Sequence, residues 1–152
     1  MTDANKFPSE EWFGALADKM REDRASFEPL GSIDCTMVVQ VDDPANKQRQ
    51  DLIEVKFRSY GVESVRRLAT LDDAEPDHFV IEASVDTWHE MIDNIISNGH
   101  PDLEHTLNFL TFPDDPMVVD GPDQLQVDTF FRYNQSLQLF FNGAAKMATQ
   151  YQ

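Results

Sequence analysis

Three ionisable side chains, Asp86, His89 and Glu90, have the types and spacing that acid–base chemistry requires. On a helix, side chains three and four positions apart lie on one face, so Asp86 is expected near both His89 and Glu90. An Asp–His pair beside an apolar pocket could act as a general base in proton abstraction, dehydration or cyclisation. A solvated helix face, with Asp86 near the positive end of the helix dipole, explains the same residues without catalysis. Both interpretations stay open on the sequence alone.

Two further histidines, His100 and His105, flank Asp102 and Glu104. Their separation of five residues does not place both rings on one helix face, as a helical zinc motif needs, so we predict no metal site. The six glycines form no dinucleotide-binding run, phosphate-binding loop or nucleophile elbow, so we also predict no nucleotide cofactor. The polar side chains of Tyr60, Arg132 and Tyr133 could orient the oxygen atoms of a ligand, although an outward-facing arginine is the commoner arrangement. We predict no cofactor of any kind.

The chain is strongly acidic, with 28 Asp and Glu against 12 Lys and Arg and a formal charge of −16. Such a charge repels phosphate backbones and anionic membrane surfaces, so we predict no nucleic-acid partner. A solubilising surface explains the excess most simply; binding of cations or of a protein partner, and a salt-adapted source, are alternatives.

Length and cysteine content limit the architecture and the compartment. A chain of 152 residues, 41% of them hydrophobic, suits one domain with one core, here residues 1–152 with 1–8 flexible. The lone Cys35 excludes an internal disulfide and favours an intracellular protein. No signal peptide and no apolar run of about 18 residues is recognisable, so we expect a cytoplasmic protein without a membrane span.

The first half of the chain predicts a helix and a sheet. Ser9 can cap a helix over 9–25, and residues 33–41 alternate as a strand with one face on the core. A polar turn and a second alternating run around 53–57 predict a hairpin, and strands follow at 63–68 and 79–83. We expect these four strands to form a meander.

The second half predicts mainly helices. A helix starts after Ser84 and stops at Gly99, and a short helix carries Leu103, Leu107 and Leu110. Residues 112–116 break the pattern, 117–119 suit an edge strand, and Asp128 can cap a last helix over 129–141. That helix is apolar on more than one face, so we expect it to roof a cavity or to form a homodimer interface.

The order of these elements, and the run from Asp77 to Ile92 above all, resembles the sterol carrier protein domain, the non-specific lipid-transfer family. An alternating strand is followed there by Ser84 and, four residues on, Trp88; 103–110 and 117–121 correspond to that family's short second helix and late strand. The resemblance extends over about residues 9 to 145. It implies an α+β fold, with an approximately five-stranded, mainly antiparallel sheet covered by helices, and a hydrophobic tunnel between the two layers.

We expect the ligand of such a tunnel to be a sterol, a fatty acyl chain or a similar hydrophobic metabolite. Large core-facing side chains are the candidate ligand contacts, although each could equally fill a solid core. They are Phe57, Leu68, Phe79, Ile81, Trp88, Ile92, Ile95, Leu107, Leu110, Phe131 and Phe140. The leading hypothesis is therefore a carrier without covalent chemistry. The alternatives are a small cofactor-free cyclase, isomerase or hydratase acting in the same pocket, and an interaction module that dimerises through its last helix.

Overall fold

The computed structural model describes residues 5–46, 48–112 and 116–151. The chain starts with a strand, β1 (Asn5–Phe7), and two helices, α1 (Glu10–Glu22) and α2 (Arg24–Phe27). Ser9 caps α1 as predicted, because its Oγ accepts a hydrogen bond from the Trp12 amide at 3.0 Å. The helix predicted over 9–25 is thus two helices, divided at Asp23.

A central sheet follows, built from β2 (Cys35–Asp42), β3 (Gln50–Arg58), β4 (Gly61–Leu68) and β5 (Phe79–Ser84). β2, β3 and β4 pair antiparallel in sequence order, which confirms the predicted hairpin.

The fourth strand does not continue the meander that we predicted. β5 pairs with β2, and the two run parallel. The connection from β4 to β5 crosses one face of the sheet, where the Glu75 amide donates to the Glu54 carboxylate on β3 at 2.9 Å. The alternation of apolar residues identified each strand correctly, but it carries no information about which strand is the neighbour.

The rest of the chain adds four helices and two short strands. They are α3 (Val85–Asn98), α4 (Leu107–Leu110), β6 (Val118–Asp120), α5 (Gln124–Arg132), α6 (Asn134–Asn142) and β7 (Thr149–Tyr151). β6 pairs antiparallel with β5 at the sheet edge, as predicted. α3 has the predicted limits: Ser84 accepts from the Thr87 amide, and Gly99 ends the helix with φ of 80°.

The last helix differs from the prediction in its start and in its continuity. Asp123 is the cap, accepting from the Gln126 amide at 3.1 Å, and Asp128 lies inside α5. The helical geometry is interrupted at Tyr133, so the single predicted helix is two. Of the predicted break over 112–116, residues 113–115 lie outside the described part of the chain.

A second, two-stranded parallel sheet joins the two ends of the chain. β1 pairs with β7, and Phe7 is fully buried. Residues 5–7, which lie in the segment that we expected to be flexible, form β1, whereas residues 1–4 lie outside the described range. Neither β1 nor β7 was predicted, because neither three-residue strand contains adjacent β-branched residues such as Val118 and Val119, which indicated the edge strand at 117–119.

The sheet of five strands is mixed, with one parallel pair, β2 with β5, and helices cover one of its faces. The main core lies between this face and the helices, and a smaller cluster of Val38, Leu52, Leu68 and Val80 covers the other face. The predicted α+β class is confirmed. In the described ranges, no helix has both the length and the apolar character needed to cross a membrane.

Candidate functional site

Most of the predicted ligand contacts lie in the main core and contact one another there. Phe57 and Phe140 meet edge to face at 5.0 Å between ring centroids, and Phe79 packs against Phe130 at 5.7 Å. Nine of the eleven predicted residues belong to this core: Phe57, Phe79, Ile81, Trp88, Ile92, Ile95, Leu107, Leu110 and Phe140. Trp88 is also tied to the sheet, because its Nε1 donates to the Gln40 carbonyl at 3.1 Å.

Two of the predicted residues do not face this core. Leu68 is buried, but in the smaller cluster on the opposite face of the sheet. Phe131 is 52% exposed, because its neighbour Phe130 occupies the inward position of α5. The expectation that both side chains face the main core was therefore wrong. The periodicity of the sequence did not show which face of β4 or of α5 packs against that core.

A groove of about 690 Å³, lined by both apolar and polar side chains, lies between α6, the end of α5 and the segment before α4. Leu30, Leu103, Phe131 and Leu139 supply its apolar surface, and the first three are 41%, 76% and 52% exposed. Six uncharged polar side chains and one arginine complete the lining: Thr106, Asn108, Arg132, Asn134, Gln135, Gln138 and Asn142. Among the described residues, none of those that line this groove is acidic.

The polar side chains of the groove are tied to one another and to the backbone. Gln138 accepts from the Leu107 amide at 2.6 Å through Oε1 and donates to Asn142 at 2.9 Å through Nε2. Asn134 donates to Asn108 at 3.2 Å. These bonds connect α6 to α4 and hold the groove in one shape.

A smaller inner cleft of about 180 Å³ adjoins the groove on the other side of α6. Leu139 and Asn142 line both spaces. The cleft reaches Met20, Phe27 and Phe140, which are all at most 2% exposed. Leu139 therefore separates the groove from a cleft that reaches buried core residues.

Only part of the predicted catalytic group comes together: Asp86 and His89 line one small cavity and the charge of Asp86 acts on the ring, whereas Glu90 pairs elsewhere. The His89 ring packs against Tyr151 at 3.8 Å between centroids, and its Nε2 is buried without a hydrogen-bond partner in the described chain. Burial lowers the pKa of His89, an effect that the charges of Asp86 and Asp93 partly offset. Tyr151 donates to Asp93 at 2.5 Å, and burial together with this bond raises the pKa of Tyr151. His89 thus sits among aromatic rings as a neutral base.

Glu90, the third member of the predicted group, pairs instead with His105. The two ring nitrogens of His105 face two carboxylates, Asp102 at 2.6 Å and Glu90 at 3.3 Å. The bond to Asp102 is the main cause of the raised pKa of His105. Carboxylates only accept hydrogen bonds, so this geometry requires the imidazolium form. The cluster ties the segment that carries Leu103 to α3.

The remaining polar candidates are dispersed. Tyr60 lies under the Arg24 guanidinium, 5.0 Å from ring centroid to Cζ, and Tyr133 stands at the break between α5 and α6. Arg132 lines the groove. The Cys35 thiol lines a separate, polar cavity of about 440 Å³ together with Phe57, and burial raises its pKa to about 12, which leaves it protonated. In the parts of the chain that the structure describes, no three potential metal ligands converge.

The groove itself was not predicted from the sequence. Leu103 was recognised as part of a short helix, and Leu30 and Leu139 were not singled out. The convergence of several exposed apolar side chains on one concave surface is the signal that identifies the site, and it becomes visible only when distant segments are assembled.

Comparison with known proteins agrees with this architecture. No family model matches the chain, and no curated protein matches it in sequence. Among solved structures, the chain is similar to a crystal structure of sterol carrier protein 2, with a TM-score of 0.68 and 20% identity over 92% of this chain and 98% of that one. It is also similar to a conserved hypothetical protein of Thermus thermophilus, described as possibly a sterol carrier protein, with a TM-score of 0.66 and 18% identity over 98% and 94%.

A third similar structure is the apo form of sterol carrier protein 2 from Yarrowia lipolytica, with a TM-score of 0.50 and 10% identity over 88% of this chain and 89% of that one. The resemblance stated from the sequence is thereby confirmed for the fold. At these identities the likeness concerns the arrangement of the backbone and not the ligand.

Proposed function

We propose that this protein binds an apolar ligand, a sterol, a fatty acyl chain or a similar hydrophobic metabolite, in the groove and inner cleft on either side of α6. The observation that carries the proposal is the groove of about 690 Å³, which leaves Leu30, Leu103 and Phe131 exposed. Its volume is in the range of small-molecule sites. Exposed apolar surface costs free energy in water, and a ligand that covers it recovers about 25 cal/mol per Å².

The inner cleft supports the proposal because it offers the ligand a route toward the core. Leu139 lines both spaces, and Phe140 lines the cleft and contacts Phe57. Phe140 thus lies between the cleft and the main core, which contains nine of the predicted ligand contacts.

The likeness of the fold to sterol carrier protein 2 is a second support. That protein's name describes a carrier, and the present chain matches its backbone over most of its length. Carriage of an apolar molecule requires a space that the molecule can enter and leave, and the groove is open to solvent along one side.

Native mass spectrometry after incubation with a mixed lipid and steroid extract tests the proposal. We expect the wild-type protein to retain an apolar molecule. The double substitution Leu103→Asn and Phe131→Asn should weaken retention about tenfold, because about 1.4 kcal/mol of apolar contact corresponds to this factor. Both side chains are more than half exposed, so folding should be unaffected.

Leu125→Asn is the matched control. Leu125 is 64% exposed on α5, the helix of Phe131, but it does not line the groove. Retention by this variant should equal that of the wild type. The proposal fails if the folded wild-type protein retains nothing, or if the control loses the ligand as the double variant does.

A further inference from the structure

The groove and inner cleft differ in charge from the rest of the chain. Their lining holds three basic residues, Lys19, Arg132 and Lys146, and one acidic residue, Asp23, and Lys19 is itself paired with Glu22 at 3.6 Å. In the whole sequence, by contrast, 28 acidic residues outnumber 12 basic ones. A local excess of positive charge in a concave surface attracts anions, even when the protein as a whole repels them.

Arg132 is the basic residue placed in the groove itself. Within the described residues it makes no ion pair and no hydrogen bond through its side chain, whereas Arg21, Arg24, Arg58, Arg66 and Arg67 are all paired with carboxylates. Its position in the last turn of α5 is favourable for a cation, but this explains neither the absence of a partner nor the absence of acids around it.

The surroundings of Arg132 suit the headgroup of an amphiphile. Phe131 and Leu139 provide apolar surface on the same groove, and Asn134 and Gln135 provide uncharged hydrogen-bonding groups. An arginine guanidinium matches a carboxylate with two parallel hydrogen bonds, and such charge-assisted bonds are about twice as strong as neutral ones. A neutral or cationic headgroup cannot form this pair of charge-assisted hydrogen bonds with the guanidinium.

We propose that the groove selects anionic single-chain amphiphiles, whose carboxylate pairs with Arg132 while the aliphatic chain passes Leu139 into the inner cleft. This inference rests on the proposed function and adds the charge of the ligand and the residue that reads it. Lys19 and Lys146 line the cleft, but Lys19 is paired with Glu22, so Arg132 is the cation on which the inference depends.

Three probes of equal chain length, tetradecanoate, tetradecanol and tetradecylamine, test the inference by titration calorimetry below their aggregation limits. We expect the wild-type protein to bind the carboxylate about tenfold more tightly than the alcohol and the amine. Added salt should reduce this preference without changing the affinity for the alcohol, because only the charged pair is screened.

Two substitutions of Arg132 distinguish the effect of its charge from the effect of its planar guanidinium group. Arg132→Gln should lower the affinity for tetradecanoate to the affinity for tetradecanol. The affinity for tetradecanol itself should not change. Arg132→Lys should give an intermediate value, because a lysine keeps the charge but not the planar pair of donors. Arg21→Gln removes the same charge from α1, away from the groove, and should preserve the preference.

Each outcome decides the inference. If the alcohol binds as tightly as the carboxylate, or if Arg132→Gln binds the carboxylate as the wild type does, selection by Arg132 is refuted while the proposed function stands. If none of the three probes binds to the folded wild-type protein, the inference is refuted, and the proposed function is refuted with it only if the protein also retains nothing from the mixed lipid and steroid extract.

Discussion

His89 shows how a residue with catalytic potential can serve another role. It lies at the predicted position on α3, three residues after Asp86, but its Nε2 has no hydrogen-bond partner in the described chain and its ring packs against Tyr151. An unpaired buried nitrogen costs roughly 1–3 kcal/mol of stability. The same burial lowers the pKa of His89, because it disfavours the charged form of the ring.

Replacing this histidine should stabilise the protein, and more so in acid. His89→Phe keeps the aromatic contact and removes the unpaired nitrogen, so we expect the free energy of unfolding to rise by about 1 kcal/mol at pH 8. Below a pH of about 6.5 the unfolded chain takes up a proton at His89 that the folded chain refuses. The advantage of the variant should therefore increase as the pH falls from there toward the lowered pKa.

Urea unfolding of both proteins between about pH 5 and pH 8 measures this difference. Comparison of the two proteins at each pH removes the contribution of His105, whose raised pKa acts in the opposite direction and favours the fold at low pH. His100→Phe, at an exposed histidine, should change the free energy of unfolding by less than about 0.5 kcal/mol. A destabilised His89→Phe variant would show that the ring nitrogen is satisfied and contributes to the fold.

At the scale of elements, the pairing of β1 with β7 closes the molecule at its two ends. Thr149 on β7 accepts a hydrogen bond through its Oγ1 from Nε1 of the fully buried Trp12 at 2.9 Å. Tyr151 on the same strand packs against His89. β7 thus supports both α1 and α3, although it has only three residues.

Removal of one hydroxyl from β7 should be costly. Thr149→Val conserves shape and leaves the Trp12 indole N–H without its acceptor, so we expect a loss of about 1–3 kcal/mol in the free energy of unfolding. Thr149→Ser keeps the hydroxyl and should lose less than about 1 kcal/mol. Guanidinium unfolding followed by tryptophan fluorescence measures both. Equal losses in the two variants would mean that the hydroxyl is not the acceptor.

Helix α5 shows why the site escaped sequence analysis while most elements did not. Phe130 and Phe131 are adjacent aromatic residues, and one is fully buried while the other is 52% exposed. The pattern predicted a helix correctly, but successive residues on a helix point about 100° apart, and the run around Phe130 is apolar on more than one face. Which of the two neighbouring phenylalanines meets the core therefore depends on how the helix packs against the sheet.

On the scale of the whole molecule, charge repulsion opposes the compact fold. With a formal charge of −16, screening by salt should stabilise the protein. Between about 0.01 M and about 0.15 M NaCl the Debye length falls from about 30 Å to about 8 Å. We expect the free energy of unfolding to rise by about 1 kcal/mol, which corresponds to an increase in Tm of about 2–4 °C.

Calorimetry at the two salt concentrations checks this prediction, and an unchanged or lower Tm would contradict it. Sedimentation in the same buffers tests the predicted homodimer through the last helix. Repulsion between two acidic copies is weaker at the higher salt, so any dimer should be more populated there. The dimer stays a prediction, as does the cytoplasmic location.

The amino-acid sequence was sufficient to predict the fold class, the position of nearly every long element, the acidic character and the resemblance to sterol carrier proteins. These features depend on local periodicity, on caps such as Ser9 and Ser84, and on composition, all of which are properties of neighbouring residues. Only the tertiary structure decided that β5 pairs with β2, that Leu68 and Phe131 leave the core, and that Arg132 lies in a groove. Those outcomes depend on contacts between segments far apart in the chain, and a groove exists only once such segments meet.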